Sequence, residues 1–306
     1  MSSTLSRVDG AAAGRSGGIA GTLNDYYELS KPRIIVLLLV TTAAAMVMAA
    51  RGIPPLALTF WTLLSGALAA GSAGALNCVY DSDIDRLMRR TQNRPLPAGR
   101  ISIRNATIFA VVLGVLAFAI LYFLVNPLAA WLSLAGNVYY VVIYTMWLKR
   151  ITPLNIVIGG AAGSVPPLVG WAAVTHQIGG PALGLFALIF LWTPPHFWSL
   201  ALMTEIDYDK AKIPMLPNVS GEERTKREIV YYSILLVVAS LALYPLHVMG
   251  ALYFGAAAVL GGIFLLDAVR TWRGGPGKVA ARNLFRFSLL YLALMCLAMV
   301  IDRIVA

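Results

Sequence analysis

Two short acidic segments contain the residue types best suited to chemistry in this chain of 306 residues. In the first, Asn77, Asp81 and Asp85 are four residues apart, so a continuing helix would project their oxygen atoms from one face. Together with Asp83 these carboxylates repel one another unless a cation neutralises them. Hard oxygen ligands of this kind suit Mg²⁺, which completes its coordination shell with water and substrate phosphates.

The second segment contains Glu205, Asp207 and Asp209, so six of the 14 acidic residues lie in two short stretches. If the segments face each other, their carboxylates could hold Mg²⁺ while nearby basic residues hold the phosphates of a diphosphate. Each segment alone could equally be a solvated helix end that is paired with neighbouring arginines. The basic residues of the candidate diphosphate site are Arg90, Arg94, Arg100, Lys210 and Lys212.

Two tyrosines, Tyr140 and Tyr144, form an aromatic stripe at helical spacing near the same predicted end of the molecule. When a metal-bound diphosphate leaves an allylic substrate it produces a carbocation, which aromatic faces can stabilise in a dry pocket. Ordinary packing or an interfacial aromatic belt would explain the same pattern.

The composition is that of a membrane protein, because 59% of the residues are hydrophobic, 12% are charged and the mean hydropathy is +0.75. The apolar residues gather into runs of about 17 to 23, the length that crosses a bilayer as a helix. This excludes a disordered chain, a disulfide scaffold and a soluble dinucleotide-binding enzyme. Two distant cysteines, Cys78 and Cys296, predict neither a disulfide bond nor a zinc site.

The pattern of apolar runs predicts an all-α, polytopic bundle of nine transmembrane helices in one intramembrane domain, residues 24–304, after a flexible tail, residues 1–23. Short connections make the third and fourth helices, and the seventh and eighth, tight antiparallel pairs. The predicted helices are 34–50, 56–76, 106–125, 128–148, 154–174, 181–203, 229–248, 251–269 and 284–301.

The distribution of basic residues orients this bundle. With a cytoplasmic N-terminus and an outer C-terminus, all of the 24 basic residues except Arg51 and Arg303 fall on cytoplasmic segments, as the positive-inside rule requires. Both acidic segments are then cytoplasmic. The net charge of +10 reflects this topology rather than nucleic-acid binding. Because an Arg-rich amphipathic transit segment is missing, we expect a bacterial plasma (inner) membrane rather than an organelle.

One histidine, His196, lies within a predicted span, about two turns from its cytoplasmic end, in the sequence WTPPHFW. An ionisable residue at membrane depth is a functional hypothesis by default. Three roles are open: ligation of a metalloporphyrin iron, removal of a proton, or a hydrogen bond to backbone groups that Pro194 and Pro195 leave free.

The order of four motifs resembles the UbiA-type intramembrane prenyltransferases, and within them the protoheme IX farnesyltransferase (heme o synthase) branch. The resemblance covers residues 24–304. The motifs are Ser30-Lys31-Pro32-Arg33, NCVYDSDIDRLMRRTQNRPLPAGRIS from Asn77, WTPPHFW around His196, and DYDKAKIPMLP from Asp207.

The resemblance implies a nine-helix bundle with a central cavity, in which two Asp-rich motifs bind Mg²⁺ and the diphosphate of farnesyl diphosphate. It also implies heme b as the acceptor and heme o as the product, which a heme a synthase or a terminal oxidase could receive. In this chain Asn77, Asp81 and Asp85 match the first motif, Asp207 matches the second, and Arg90 and Arg94 match the basic loop.

One departure concerns the second motif, which is usually Asp-x-x-x-Asp. Four residues after Asp207 the chain has Ala211, and the pair with that spacing is Glu205 and Asp209. The second-loop metal ligands therefore stay open among these three carboxylates.

Three alternatives to heme farnesylation follow from the same residues. A prenyltransferase that modifies an aromatic ring, such as a quinone precursor or a chlorophyll-type acceptor, would share the donor chemistry. A secondary transporter would place its acidic residues near the bilayer midplane rather than at one face. A non-catalytic heme chaperone would leave both acidic segments without a role.

Overall fold

The computed structural model describes residues 18–274 and 278–305, and within these ranges the chain forms helices and no strands. Eight helices are long and apolar enough to cross a membrane, so the protein is a multi-pass membrane protein. The helices are α1 Ile19–Leu29, α2 Pro32–Ala50, α3 Leu56–Tyr80, α4 Ser82–Asp85, α5 Ile103–Val125, α6 Pro127–Ile151, α7 Asn155–Thr175, α8 Gly180–Lys210, α9 Leu216–Ala242, α10 Ala251–Arg273 and α11 Val279–Val305.

The long helices pack in chain order and close into a ring. Each long helix from α2 to α11 contacts the next one along the chain, and α11 returns to contact α2. Contacts between α2 and α7 and between α8 and α11 cross the ring and bring together helices that are distant in sequence. The predicted all-α membrane bundle is confirmed, whereas the central cavity stays a prediction.

The predicted flexible tail, residues 1–23, is wrong from Ile19 onwards, where α1 begins; residues 1–17 lie outside the described ranges. The helix is amphipathic rather than uniformly apolar, so its hydropathy resembles that of a polar tail. It packs against α5, where the rings of Tyr26 and Phe109 have centroids 4.9 Å apart. Its Leu29 is buried.

The prediction for the seventh span, residues 229–248, is wrong at both ends. Helix α9 begins at Leu216 and ends at Ala242, and turns that include Pro245 follow it. A hydropathy window overlooks the charged N-terminal part of α9, where Glu222 and Lys226 form an i,i+4 ion pair of 2.8 Å. Because of this charged part α9 is not among the eight apolar spans, so a ninth crossing stays a prediction.

Side chains that cap helix ends close one end of the bundle. The side chain of Asn126 accepts a hydrogen bond from Ala129 N at 2.9 Å and donates to Ala172 O at 2.8 Å. The buried carboxylate of Asp302 accepts from Gly250 N at 2.6 Å and caps the start of α10. The long polar connections lie at the opposite end, where the functional residues gather.

Candidate active site

The first acidic segment retains helical geometry beyond the end of α3. Asp81 N donates to Asn77 O at 2.9 Å, and Asp85 N donates to Asp81 O at 2.8 Å. This backbone repeat gives the one-sided arrangement of Asn77, Asp81 and Asp85 that their spacing predicts. Both carboxylates are almost completely buried, with 1% of each residue exposed. A buried carboxylate needs a compensating cation or hydrogen bonds.

Asp81 has one satisfied and one unsatisfied carboxylate oxygen. Its Oδ2 accepts from Asn77 Nδ2 at 2.8 Å and forms an ion pair with Lys149 Nζ. Its Oδ1 is buried without a hydrogen-bond partner, and Arg150 Nη2 lies 3.8 Å away. A buried carboxylate oxygen with an unused lone pair fits a site for a hard divalent cation.

A second lysine reaches this site from the connection between α1 and α2. Lys31 has a left-handed backbone (φ 57°, ψ 54°), and its Nζ donates to Asn77 Oδ1. The close approach of this connection to α3 requires a small residue on α3, because a Cβ at Gly74 would lie 3.2 Å from Ser30 O. A positive φ at a non-glycine residue carries strain that often marks a functional position.

Asp85 is held by Arg94, which follows it in the same loop. Arg94 Nη1 donates to Asp85 Oδ2 at 2.8 Å, and Thr91 Oγ1 donates to Asp85 O at 2.8 Å. Burial by itself would lower the pKa of Arg94, but the charge and hydrogen bond of Asp85, together with the charges of Cys78 and Asp81, outweigh it and raise the pKa. The loop thus places a permanent cation beside the second carboxylate of the ladder.

Asp83 lies in the same segment but faces outwards. Its side chain is 61% exposed and accepts two hydrogen bonds of 2.8 Å from Arg150. These bonds lower the pKa of Asp83, with burial opposing the shift, so the carboxylate is ionised at neutral pH. Asp83 belongs to a surface ion pair rather than to the buried ladder.

The second acidic segment begins at a kink in α8. Thr204 has non-helical backbone angles (φ −119°, ψ 18°), so the residues after it leave the direction of the membrane-spanning part. Beyond the kink, Tyr208 accepts a hydrogen bond of 3.3 Å from Arg90 Nη2. Ile84 and Met88 of the first segment belong to the same buried cluster as Tyr208. The two segments therefore pack against each other at one end of the bundle.

The carboxylates of the second segment are more open than those of the first. Asp207 is half-buried, Asp209 is exposed, and Glu205 lines a cavity of about 230 Å³ between α8, α9, α10 and α11. Lys210 and Lys212 are exposed. Among the described residues no three acidic, histidine or cysteine side chains converge on a common metal position. The two segments are adjacent, but a shared cage of carboxylates is not assembled in this conformation.

The two tyrosines lie in a π-helical part of α6, Tyr139–Leu148. The wider turn is visible where Thr145 Oγ1 donates to Tyr140 O at 2.9 Å, five residues earlier. The same Thr145 hydroxyl accepts from Asn77 Nδ2 at 3.1 Å, which ties α6 to the ladder. The rings of Tyr140 and Tyr144 have centroids 5.4 Å apart. Short π-helical segments occur frequently at functional sites.

A glycine on α7 makes room for one of these rings. A Cβ at Gly159 would lie 2.2 Å from Cδ2 of Tyr144, so no larger residue fits while the ring keeps its position. The next residue along the chain, Thr145, accepts a hydrogen bond from Asn77, so Tyr144 lies on the part of α6 that contacts the ladder. The structure therefore brings the aromatic stripe beside the ladder.

His196 is placed deeper, between α8 and α11. Its imidazole stacks on Trp192 at 4.3 Å and on Phe285 at 4.7 Å between ring centroids. Nδ1 lies 2.6 Å from the hydroxyl oxygen of Ser288, and the residue is 7% exposed. Its hydrogen bond goes to a side chain of α11, not to backbone groups freed by Pro194 and Pro195, so that suggested role is wrong.

Several contact residues at this site, among them Lys31, Lys149, Thr145 and Tyr208, were not among the site residues predicted from the sequence. Lys31 and Lys149 hold Asn77 and Asp81, and Lys31 is visible in the sequence as part of the Ser30-Lys31-Pro32-Arg33 motif. Lys149 lies one turn beyond Tyr144, a spacing that only the wider π-helical turn makes significant. Thr145 has no distinctive signal in the sequence, whereas Tyr208 lies in the DYDKAKIPMLP motif, which does not by itself indicate the contact with Arg90.

Residues 38–291 match the family model described as "UbiA prenyltransferase family". This chain belongs to the UbiA prenyltransferase family. The enzyme is 56% identical over 280 residues to a protein from Synechocystis sp. named protoheme IX farnesyltransferase, covering 91% of this chain and 89% of the relative. A Gloeobacter violaceus protein of the same name is 53% identical over 287 residues, 94% of each chain.

Solved structures show the same fold at low sequence identity. A digeranylgeranylglyceryl phosphate synthase superposes with a TM-score of 0.77 at 19% identity, covering 93% of this enzyme and 99% of that chain. A UbiA homologue from Archaeoglobus fulgidus, bound to DMAPP and Mg²⁺, superposes with a TM-score of 0.65 at 19% identity, covering 90% and 99%. The enzyme is an intramembrane prenyltransferase.

Proposed function

We propose that the enzyme transfers the farnesyl group of farnesyl diphosphate to a vinyl group of heme b and adds water, producing heme o and diphosphate. The C1–O bond of the donor breaks, a C–C bond forms to the vinyl group, and water supplies the hydroxyl group and releases a proton. The observation that carries this proposal is the buried ladder of Asn77, Asp81 and Asp85, with its unpartnered Asp81 oxygen. The names of the relatives support heme b as acceptor.

The donor end of the reaction belongs to the first acidic segment. Asp81 and Asp85 would hold Mg²⁺, with Asp207, Asp209 and Glu205 as further candidates from the second segment. When bound, Mg²⁺ withdraws electron density from the diphosphate and makes it a better leaving group. Asn77 orients Asp81 through their 2.8 Å hydrogen bond.

The cations around the ladder are placed to receive the diphosphate. Lys31 and Lys149 contact Asn77 and Asp81, while Arg94 contacts Asp85. Once a divalent cation satisfies the carboxylates, these groups can donate to phosphate oxygens instead. Arg90 reaches the second segment through Tyr208, and the exposed Lys210 and Lys212 can close over the donor.

The aromatic stripe suits the fate of the farnesyl group. Departure of diphosphate leaves positive charge on the allylic carbons, and the faces of Tyr140 and Tyr144 can stabilise that charge. Because Tyr144 lies on the part of α6 that contacts the ladder, the stabilising ring would be close to the bond that breaks.

The acceptor would lie deeper, where His196 can bind the iron of heme b. His196 precedes Thr204 by eight helical steps, or about 12 Å along the axis. A neutral imidazole with aromatic rings on both faces keeps its in-plane nitrogen available for a metal.

The active-site end of the bundle faces the cytoplasm of a bacterial cell in this proposal. The connections at this end are basic, whereas Arg51 and Arg303 lie on the other side. The product would pass within the membrane to a heme a synthase or a terminal oxidase.

The function is tested by incubating the purified enzyme with heme b, farnesyl diphosphate and Mg²⁺, then extracting the hemes for mass spectrometry. We expect a heme heavier by one farnesyl group and one water, carrying ¹⁸O when the reaction runs in H₂¹⁸O, and no such product with EDTA. Unchanged heme, together with prenylation of an aromatic acceptor such as a hydroxybenzoate, would contradict the heme assignment and leave a ring-modifying prenyltransferase.

A further inference from the structure

Ser288 makes two contacts that organise the surroundings of His196. Its hydroxyl oxygen is 2.6 Å from His196 Nδ1, and its backbone oxygen accepts a hydrogen bond of 2.8 Å from Trp192 Nε1. Trp192 also stacks on the His196 ring, with the planes inclined by 16°. One residue of α11 thus fixes both the imidazole and the indole that covers it.

The hydrogen-bond network determines which imidazole nitrogen carries the proton. The hydroxyl of Ser288 donates its single proton to Phe285 O at 2.7 Å, so its oxygen acts as acceptor toward His196. This pattern assigns the proton to Nδ1 and the lone pair to Nε2. No hydrogen bond to Nε2 is recorded in the described part of the chain.

The stacking geometry limits how a ligand can reach this lone pair. Trp192 and Phe285 stack on the imidazole at inclinations of 16° and 22°, so a ligand can reach the ring only at its edge, where the ring of Phe197 stands at 88° with its centroid 5.3 Å away. A metal binds imidazole in the ring plane, and metal-ligating histidines usually donate their other N–H to a fixed acceptor. His196 with Ser288 has this arrangement.

We propose that Ser288 is a positioning residue that holds His196 as the Nδ1–H tautomer, so that Nε2 ligates the iron of heme b. This inference rests on the proposed function, because it takes heme b as the acceptor. Neutral ligation suits the site better than proton removal, since the recorded contacts of His196 are aromatic rings and a hydroxyl, with no carboxylate to stabilise an imidazolium.

The test uses resonance Raman spectroscopy of ferrous heme b bound to the full-length enzyme without farnesyl diphosphate. We expect an iron–histidine stretching band that His196→Ala removes and Ser288→Ala moves to lower frequency, because the Nδ1 hydrogen bond strengthens the ligand. Ser288→Ala should also weaken heme binding by about 10- to 100-fold. Binding of metal-free protoporphyrin IX should be unaffected, and Ser288→Thr should restore the band position.

Ser233→Ala is the matched control, because Ser233 is also a buried helix serine, bonded to Ile229 O at 2.6 Å and without contact to His196. An unshifted band and unchanged affinity in Ser288→Ala, or a wild type without an iron–histidine band, would overturn the inference. If the wild type lacks the band but still produces heme o, the proposed function survives. If no heme o forms although the band behaves as expected, the proposed function alone falls.

Discussion

Buried charge is balanced residue by residue at the donor site. Asp81 and Asp85 are each 1% exposed, and their direct partners are Lys149 and Arg94. Removing one partner of a buried pair leaves an uncompensated charge, which costs more than the pair contributes. Lys149 and Arg94 therefore stabilise the ladder without a metal, and they would become available to phosphate once a divalent cation is bound.

Lys149→Gln should raise the KM for farnesyl diphosphate by about 10-fold or more, since it removes a charge-assisted hydrogen bond. Initial rates at varied donor concentration give this value. The comparison variant is Lys278→Gln, which removes an exposed lysine bonded to Met203 O at 3.3 Å. An unchanged KM in Lys149→Gln would show that this lysine does not contact the donor.

At the scale of helices, the hydropathy pattern predicts nine spans, and eight of them correspond to long apolar helices of the structure, because bilayer thickness constrains apolar length. It does not predict α1, which is amphipathic, or the charged start of α9, which i,i+4 ion pairs support. The π-helical turn around Tyr140 is also invisible in the sequence, because it depends on contacts with other helices. One such contact is that of Thr145 with Asn77.

The candidate site was predictable where spacing alone determines geometry. The ladder of Asn77, Asp81 and Asp85 follows from a continuing helix, and its placement beside the second segment follows from the topology. The contributions of Lys31 and Lys149 depend on how α2 and α6 approach α3. The spacing of Glu205 and Asp209 did not indicate that Glu205 lines the cavity between α8, α9, α10 and α11.

Gly159→Ala should lower activity by displacing Tyr144, since the new Cβ would lie 2.2 Å from the ring. The same variant should lose about 1 to 3 kcal/mol of stability through overpacking. Gly163→Ala on the same helix is the control, because its Cβ meets no atom within 4 Å. Thermal unfolding and initial rates measure both effects, and equal behaviour of the two variants would contradict the packing role of Gly159.

Over the whole molecule, the polar connections separate into two ends with different architecture. Short capped turns at Asn126 and Gly250 form one end, and the long basic connections that carry the ladder form the other. A membrane protein with this asymmetry should insert with its basic end in the cytoplasm.

Single cysteines introduced at Gln92 and Gln177 test this orientation, because both residues are exposed and lie at opposite ends. In right-side-out vesicles a membrane-impermeant maleimide should label Gln177→Cys at once and Gln92→Cys only after permeabilisation. Cys78 and Cys296 are 2% exposed, so the background should be low. Labelling of Gln92→Cys in sealed vesicles would show that the orientation is the opposite of the predicted one.

The central claim is that the buried ladder activates a prenyl diphosphate through a divalent cation. The test measures heme o formation by Asp81→Asn, using mass spectrometry and saturating Mg²⁺. The control is Asp83→Asn, which changes an exposed carboxylate two residues away. We predict a loss of about 100-fold or more for Asp81→Asn and near wild-type formation for Asp83→Asn. Equal activity of the two variants, in protein of equal stability, would contradict the account.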